Sequence, residues 1–317
     1  MYGALMMANV DISVIIPSKD NKNKTAEIIR KISESTKDIE IEFIVIDMNS
    51  KDNSVLWALN EIKKRNLRGC VIQSGGGTVS SALNTGIYKS EGKYITFVYP
   101  SRLYKSDYIH EYYKTVEAQN ADFVFSAPKT ELVSAEINNI DGNELATGLI
   151  RSLISMDFCA VMIRREYLLS NHIKFYENCT YGYAEAFVFN ALIFEPRIAY
   201  SSVKLEREYV DVPQKNEGIQ NNGCFSKIDA MLKVYETMQL NKKGSNALHN
   251  AFEYNKIPSV VMSCVDMLLK DKFPYYAIKN SLKLKEYDKL LKFSRVTPSK
   301  LRKKIITWKF FPKFYKP

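Results

Sequence analysis

The chain has 317 residues, of which 46% are hydrophobic, and its 45 Lys and Arg against 35 Asp and Glu give a formal net charge of +10. This length and apolar content exclude a fibrous or disordered protein and predict one large domain with an extension, or two ordinary domains. The five cysteines form no CxxC pair, which excludes a zinc ribbon and a disulfide framework.

Hydropathy gives an expectation about location. No apolar run reaches the roughly 18 residues of a membrane-spanning helix, and the opening residues lack the pattern of a signal peptide. We therefore expect a cytoplasmic protein in which residues 1–9 are a leader.

Strand and helix patterns alternate through the first half of the chain. Apolar runs predict strands at residues 11–17, 41–47, 70–73, 93–99 and 121–127. Helical spacing separates them at residues 25–35, 54–65, 79–89 and 108–118. This alternation predicts an α/β fold with a mostly parallel central sheet, in which ligands bind beyond the carboxyl ends of the strands.

The second half changes character. Residues 157–169 predict a strand followed by a helix, and residues 183–194 predict a helix. From about residue 214 only helical patterns remain, at 228–238, 247–270 and 275–293. We therefore predict one domain over 10–213 and a helical extension over 214–317.

Five segments, in order, resemble family 2 glycosyltransferases of the GT-A fold. SVIIPSKD resembles the family's opening strand, and IEFIVIDMNSKDNS resembles its strand ending in Asp-Asp-Gly-Ser. GGGTVSSALNTG resembles the glycine turn followed by Ala-Arg-Asn-x-Gly, and EGKYITFVYPSR the strand before the acidic metal motif. EAFVFN resembles Glu-Asp-x-x-Phe-Asn. The resemblance implies a nucleotide-diphospho-sugar transferase with Pro17, Ser18, Lys19, Asp47 and Asn49 beside the nucleotide.

Several positions that carry chemistry in this family hold other residues here. Lys19 and Met48 replace an aromatic ring and an Asp that hold the base, and Leu83 replaces the Arg of Ala-Arg-Asn. The acidic DxD motif is replaced by Tyr99, Pro100 and Ser101, and Ala186 replaces the Asp that acts as general base. Because a hard divalent cation prefers carboxylate oxygens, we expect no metal cofactor. Asp47 remains, either as a nucleotide contact or as a cap for the loop after its strand.

Other side chains are candidates for the missing roles. Lys19, Arg102 and Lys105 follow strand ends and are candidates for a metal-free clamp on the donor phosphates, although basic loop residues are ordinarily solvated. Glu185 is a candidate base one residue before the family position, or a helix-start residue that interacts with the helix dipole.

The basic charge is concentrated at the end of the chain. Residues 289–317 contain ten Lys and Arg and no Asp or Glu. These ten charges equal the whole excess of basic over acidic residues in the chain. This pattern argues against nucleic-acid binding by the main domain. The interleaved aromatic residues predict a segment that lies on an anionic membrane surface, or a helix packed on its own domain with a solvated basic face.

Two functions follow from the sequence. The first is sugar transfer from a nucleotide-sugar donor to a glycan or lipid-linked acceptor in cell-surface polysaccharide or glycoprotein assembly, without the DxD metal. The second is a catalytically inactive relative that binds a partner glycosyltransferase, a glycan or a membrane acceptor.

Overall fold

A computed structural model of the chain describes residues 10–102, 104, 107–127, 129–130, 137–206 and 223–317. The chain folds into two compact units. The first takes in the described residues of Met1–Ile140, Ser155–Glu177 and Pro196–Gln214. The second takes in those of Asp141–Ile154, Asn178–Glu195 and Lys215–Pro317. The predicted leader and the predicted boundary at residues 213 and 214 lie outside the described residues.

The strands are short and mostly lie in the first half of the chain. They are β1 Ile12–Ser18, β2 Ile41–Asp47, β3 Arg68–Gln73, β4 Tyr94–Phe97, β5 Phe123–Phe125, β6 Lys129–Thr130, β7 Ile154–Ser155, β8 Met162–Arg164 and β9 Ile198–Tyr200.

The helices lie between these strands and then continue alone. They are α1 Lys22–Ser35, α2 Ser54–Lys64, α3 Val79–Lys89, α4 Tyr108–Gln119, α5 Gly142–Ile150, α6 Arg165–Ser170, α7 Tyr183–Leu192, α8 Gly223–Leu240, α9 Asn246–Ala251, α10 Ile257–Lys270, α11 Tyr275–Leu284 and α12 Ser299–Phe310.

The first unit is built on a seven-stranded sheet in the order β3-β2-β1-β4-β8-β5-β9. Neighbouring strands are parallel except where β8 pairs antiparallel with β4 and β5. The predicted α/β fold with a mostly parallel sheet is therefore confirmed, and the strand β9 was missed by the sequence analysis. β1 and β2 are almost entirely buried, which explains their continuous apolar runs.

Helix α3 packs closely against β1 in the first unit. A Cβ atom at Gly86 would lie 2.3 Å from Cγ2 of Ile15, so only glycine permits this approach. The helix begins at the Thr78 cap, whose hydroxyl accepts from Ser81 N–H at 3.2 Å. The glycine turn of the sequence therefore leads into a helix that is held against the central strands.

The second unit is helical. Phe189 on α7 lies edge-to-face with Phe252, their ring centroids 5.4 Å apart, and Tyr235 on α8 stacks on Phe252 at 6.1 Å. Residues Phe252–Lys256 form one π-helical turn between α9 and α10. The single helix predicted over 247–270 is thus three consecutive segments, because Pro258 has no N–H for the carbonyl of Tyr254.

Candidate functional site

The carboxyl ends of β1 and β2 place the predicted nucleotide residues side by side. Ser18 and Asp47 are register partners at the last position of each strand, and Met48 N–H donates to the Ser18 carbonyl at 2.8 Å. Lys19 is exposed just beyond them, while Pro17 and Ser18 are buried. The structure therefore brings Pro17, Ser18, Lys19 and Asp47 to one edge of the sheet.

Asp47 has a buried carboxylate that is only half satisfied. The residue is 2% exposed, and its Oδ2 accepts from Ser50 N–H at 3.2 Å. Oδ1 has no hydrogen-bond partner among the described residues. An unsatisfied buried acceptor costs free energy, so a ligand donor that reached this oxygen would be stabilising.

The loops after β1 and β2 are bonded to each other. Asp20 N–H donates to the Ser50 hydroxyl at 2.9 Å, and Lys51 N–H donates to Asp20 Oδ1 at 2.7 Å. Asp52 Oδ2 accepts from Lys22 N–H at 3.1 Å and so caps the start of α1. Asn49, between the strand end and these bonds, adopts a left-handed φ of 61°. The surroundings of Asp47 are thereby fixed by contacts within the first unit.

Helix α3 places two family positions in structural roles. Leu83 is 0% exposed and packs in the core of the first unit, where an Arg would leave a charge without water. The Asn84 side chain donates to the Phe175 carbonyl at 2.9 Å and accepts from Phe175 N–H at 2.8 Å. Neither residue supplies a cation for a donor phosphate.

The residues after β4 do not fit a divalent cation. Tyr99 is 8% exposed and Pro100 is buried, while Ser101 is exposed and offers a neutral hydroxyl. Among the described residues, no group of three His, Cys, Asp and Glu side chains is placed to hold a metal ion. Because a hard cation requires anionic oxygens, the chemistry of this donor set disagrees with the family's DxD site.

Arg102 meets a carboxylate that the sequence analysis did not single out. Its Nη1 lies 3.3 Å from Asp157 Oδ1, which also accepts from Cys159 N–H at 3.0 Å. The Tyr104 hydroxyl donates to Asp157 Oδ2. Burial, together with the Asp157 charge, raises the pKa of Tyr104, so the phenol stays protonated as a donor. Lys105, the third predicted phosphate ligand, lies outside the described residues.

Glu185 lies in the second unit, on the first turn of α7, with two ammonium groups on its carboxylate. Lys227 Nζ is 2.7 Å from Oε2, and Lys256 Nζ binds Oε1. The side chains of Glu185, Lys227 and Lys256 are 14%, 21% and 13% exposed. This buried cluster has one negative and two positive charges.

The charges around Glu185 weaken it as a base. Burial opposes its ionisation, but the ammonium groups of Lys256 and Lys227 outweigh burial and lower the pKa of Glu185. A general base works best with a pKa near the working pH, and both oxygens here already accept from lysines. Ala186, at the family's base position, is 1% exposed and has no titratable group.

Sequence signals existed for some of the residues that were missed. Lys256 lies within the helical pattern of 247–270, where a lysine is rarely buried without a partner. Asp157 is the first residue of the strand pattern in 157–169, so the sequence places it at a strand end. Nothing in the sequence pairs Asp157 with Arg102, because they are 55 positions apart.

Comparison with known proteins also points to a glycosyltransferase domain. Residues 13–152 match the family model described as Glycosyl transferase family 2. A segment of 113 residues is 30% identical to glycosyltransferase GlyG of Streptococcus pneumoniae, over 36% of this chain and 37% of that protein. A segment of 118 residues is 30% identical to the poly(ribitol-phosphate) beta-N-acetylglucosaminyltransferase TarP of Staphylococcus aureus, over 36% of this chain and 35% of that protein. The match thus spans little more than a third of these curated relatives.

Solved structures agree in fold. S. aureus TarS 1–349 in complex with UDP-GlcNAc has a TM-score of 0.61 at 16% identity, over 95% of this chain and 87% of that one. The mannosyltransferase PcManGT from Pyrobaculum calidifontis, in complex with GDP-Man and Mn²⁺, has a TM-score of 0.54 at 11% identity, over 97% of this chain and 88% of that one. At these identities the likeness shows the fold alone.

Proposed function

Since residues 13–152 are a family 2 glycosyltransferase domain of the GT-A type, we propose that the chain transfers a sugar from a nucleotide-sugar donor to a cell-surface glycan acceptor. In this reaction the acceptor hydroxyl forms a bond to the sugar's anomeric carbon while the bond to the nucleoside diphosphate breaks. The protein has to hold the nucleotide, stabilise charge on the departing diphosphate and accept a proton.

The Asp47 carboxylate carries this proposal. Its buried Oδ1 lacks a partner among the described residues and lies at the carboxyl end of β2, where ligands bind in such sheets. A nucleotide base presents N–H donors that suit a charged acceptor. UDP is the first nucleotide to test, because the S. aureus TarS structures are complexes with UDP and with UDP-GlcNAc.

The donor diphosphate would be held by fixed cations in place of a metal. Arg102 is 31% exposed and lies 3.3 Å from Asp157, and a planar guanidinium suits phosphate oxygens. Lys19 is exposed at the neighbouring strand end and supplies a second charge. Asp157 orients Arg102, and it also cancels part of the charge that would act on the leaving group.

A catalytically inactive partner protein is the second candidate, and the Glu185 cluster favours it. A carboxylate bound by two lysines beside a buried Ala186 lacks the usual means of accepting a proton. On this alternative the chain binds a partner transferase, a glycan or a membrane acceptor. Release of UDP from UDP-sugars by the pure protein, with and without candidate glycan acceptors, separates the two candidates, because only an enzyme releases UDP with turnover.

The membrane location predicted from the sequence belongs to the same proposal. Among the described residues, no helix is long and apolar enough to cross a bilayer. We place the reaction at the inner face of the plasma membrane, where the basic end of the chain would meet anionic lipid.

Calorimetric titration with UDP tests the role of Asp47. Asp47→Asn should weaken UDP binding roughly 10- to 100-fold, because a neutral amide replaces a buried charged acceptor. Asp38→Asn is the matched control, since the Asp38 side chain is 70% exposed and precedes the amino end of β2. Equal affinities for UDP in the wild type and Asp47→Asn would exclude Asp47 as a nucleotide ligand.

The same titration tests the cation clamp. Arg102→Gln should weaken UDP binding by about tenfold and leave uridine binding unchanged, because only UDP has phosphates. Asp157→Asn should strengthen UDP binding, since it keeps an acceptor for Tyr104 but removes the charge opposite Arg102. Loss of affinity for uridine as well as UDP in Arg102→Gln would show that this residue supports the fold instead.

A further inference from the structure

The second unit exposes an unusual number of aromatic side chains at its C-terminal end. Phe310, Phe311 and Phe314 are 68%, 57% and 77% exposed, and Tyr276 on α11 is 62% exposed. A stable monomer rarely leaves several large apolar side chains in water within a few residues of one another. Such exposure is typical of a surface that binds a partner.

Two segments distant in sequence meet at this surface. Lys279 Nζ on α11 donates to the Lys309 carbonyl on α12 at 3.4 Å, and both helices pack on α10. Tyr276 lies one helical turn before Lys279 and so shares its face. The sequence predicts this surface for the terminal segment alone, whereas the structure adds α11 to it.

The charge of both segments identifies the chemistry of the partner. Residues 272–285 contain four lysines and residues 299–317 contain seven Lys and Arg, with no Asp or Glu in either. Asp271 and Glu286 border the first segment, and Glu286 binds Lys289. Asp266, which faces α12, is bound by Lys304 at 2.5 Å and by the Tyr315 hydroxyl. The surface therefore has a strong excess of positive charge.

The inner face of α12 is already used. Leu301, Ile305 and Trp308 are buried, and Tyr315 lies edge-to-face with Trp308 at 5.6 Å between ring centroids. The helix is therefore part of the folded unit, and the residues left for a partner are its lysines and the last phenylalanines. Exposed aromatic rings among lysines are the composition of proteins that lie in a membrane interface.

We propose that α11 and residues 299–317 form one docking face for an anionic phospholipid bilayer. Phe310, Phe311, Phe314 and Tyr276 enter the interfacial region, and the surrounding lysines lie on lipid phosphates. The proposal rests on the membrane location within the proposed function. Vesicle binding is measured without nucleotide or acceptor, so its failure leaves sugar transfer unaffected.

Sedimentation with vesicles of phosphatidylcholine, with and without 30% phosphatidylglycerol, tests this face on the full chain. The wild type should bind only the anionic vesicles and lose binding as salt rises. The triple variant Lys303→Gln, Lys313→Gln and Lys316→Gln should bind about 100-fold more weakly, at about 1 kcal/mol for each charge. Lys51→Gln, Lys63→Gln and Lys64→Gln, exposed in the first unit, form the matched control.

Two further variants test the aromatic residues and α11. Phe311→Ser with Phe314→Ser should weaken binding at least about tenfold, whereas Leu240→Ser, another exposed apolar position, should not. Lys279→Gln with Lys283→Gln, both exposed on α11, should also weaken binding with the terminal segment intact. Circular dichroism melts should match the wild type in each case.

Several outcomes would overturn the proposal. Equal binding to neutral and anionic vesicles, or no vesicle binding, would exclude the anionic bilayer as partner. Wild-type affinity in the α11 variant would exclude a face built from both segments. A dimer that forms without vesicles and is lost in Phe311→Ser with Phe314→Ser would identify a second copy of the chain as the occupant.

Discussion

Glu185 illustrates how neighbouring charges decide what one residue does. Removing the carboxylate would leave Lys227 and Lys256 close together and mostly buried, without a counter-charge. Burial lowers the pKa of Lys256, and the negative charge of Glu185 opposes that effect. The side chain therefore stabilises the second unit, whatever its part in catalysis.

We expect Glu185→Gln to lower the free energy of unfolding by about 3–5 kcal/mol, because it breaks a buried ion pair. In thermal melts this corresponds to a decrease of roughly 10 °C. Glu195→Gln is the control, since that side chain is 50% exposed and lies 4.0 Å from Lys243. Unchanged stability in Glu185→Gln would show that the two lysines do not depend on this carboxylate.

The loss of stability caused by Glu185→Gln should become smaller as pH falls. The pKa of Glu185 is lowered from 4.5 in the folded protein, so its contribution is complete above that value. It is lost as pH falls through the lowered pKa, where the carboxylate becomes protonated. Denaturant unfolding should therefore show the full difference between wild type and variant at pH 7 and a smaller one below about pH 4. A constant difference would contradict the ion pair.

At the scale of elements, one proline determines the backbone conformation of the turn that carries Lys256. Pro258 has no N–H, and the chain responds with the π turn, in which Ile257 N–H donates to the Phe252 carbonyl. The Thr297 hydroxyl supplies the missing donor to the Tyr254 carbonyl at 2.7 Å. A residue 43 positions away thus completes the backbone hydrogen bonding of this turn.

Thr297→Val should reduce the free energy of unfolding by about 1–3 kcal/mol, because it leaves the Tyr254 carbonyl without its donor. The same change removes the acceptor of Ser294 N–H, now bonded to the Thr297 hydroxyl at 2.9 Å. Thr297→Ser keeps the hydroxyl and should remain near the wild type, which separates the hydrogen bonds from packing. Chemical denaturation measures both. Wild-type stability in Thr297→Val would show that the two hydrogen bonds contribute nothing measurable.

At the scale of the whole molecule, we expect Mn²⁺ and Mg²⁺ to leave nucleotide binding unchanged. Tyr99 and Ser101 supply no carboxylate after β4, and Asp157 is occupied by Arg102 and Tyr104. Titration of the full chain with UDP should give the same affinity with EDTA as with Mn²⁺. A tenfold gain with the metal, about 1.4 kcal/mol, would mean that other acidic side chains form a site.

The sequence by itself determined the α/β fold of the first unit, because strand and helix periodicity is local and each apolar run had to be buried. It also located the ends of β1 and β2, and so Asp47, since a strand end follows directly from where the apolar run stops. It did not predict β9, Ile198–Tyr200, because its short apolar run has polar neighbours on both sides, whereas β5 and β8 lie in longer apolar runs.

Only the tertiary structure decided which charges meet. Arg102 pairs with Asp157, and Glu185 pairs with Lys227 and Lys256. Lys279 connects α11 to the terminal segment. Each contact joins residues at least 30 positions apart, so no local pattern contains it. The physical reason is that the packing of helices and strands determines where a charged side chain lies. The neighbouring residues in the sequence determine only which helix or strand carries that side chain.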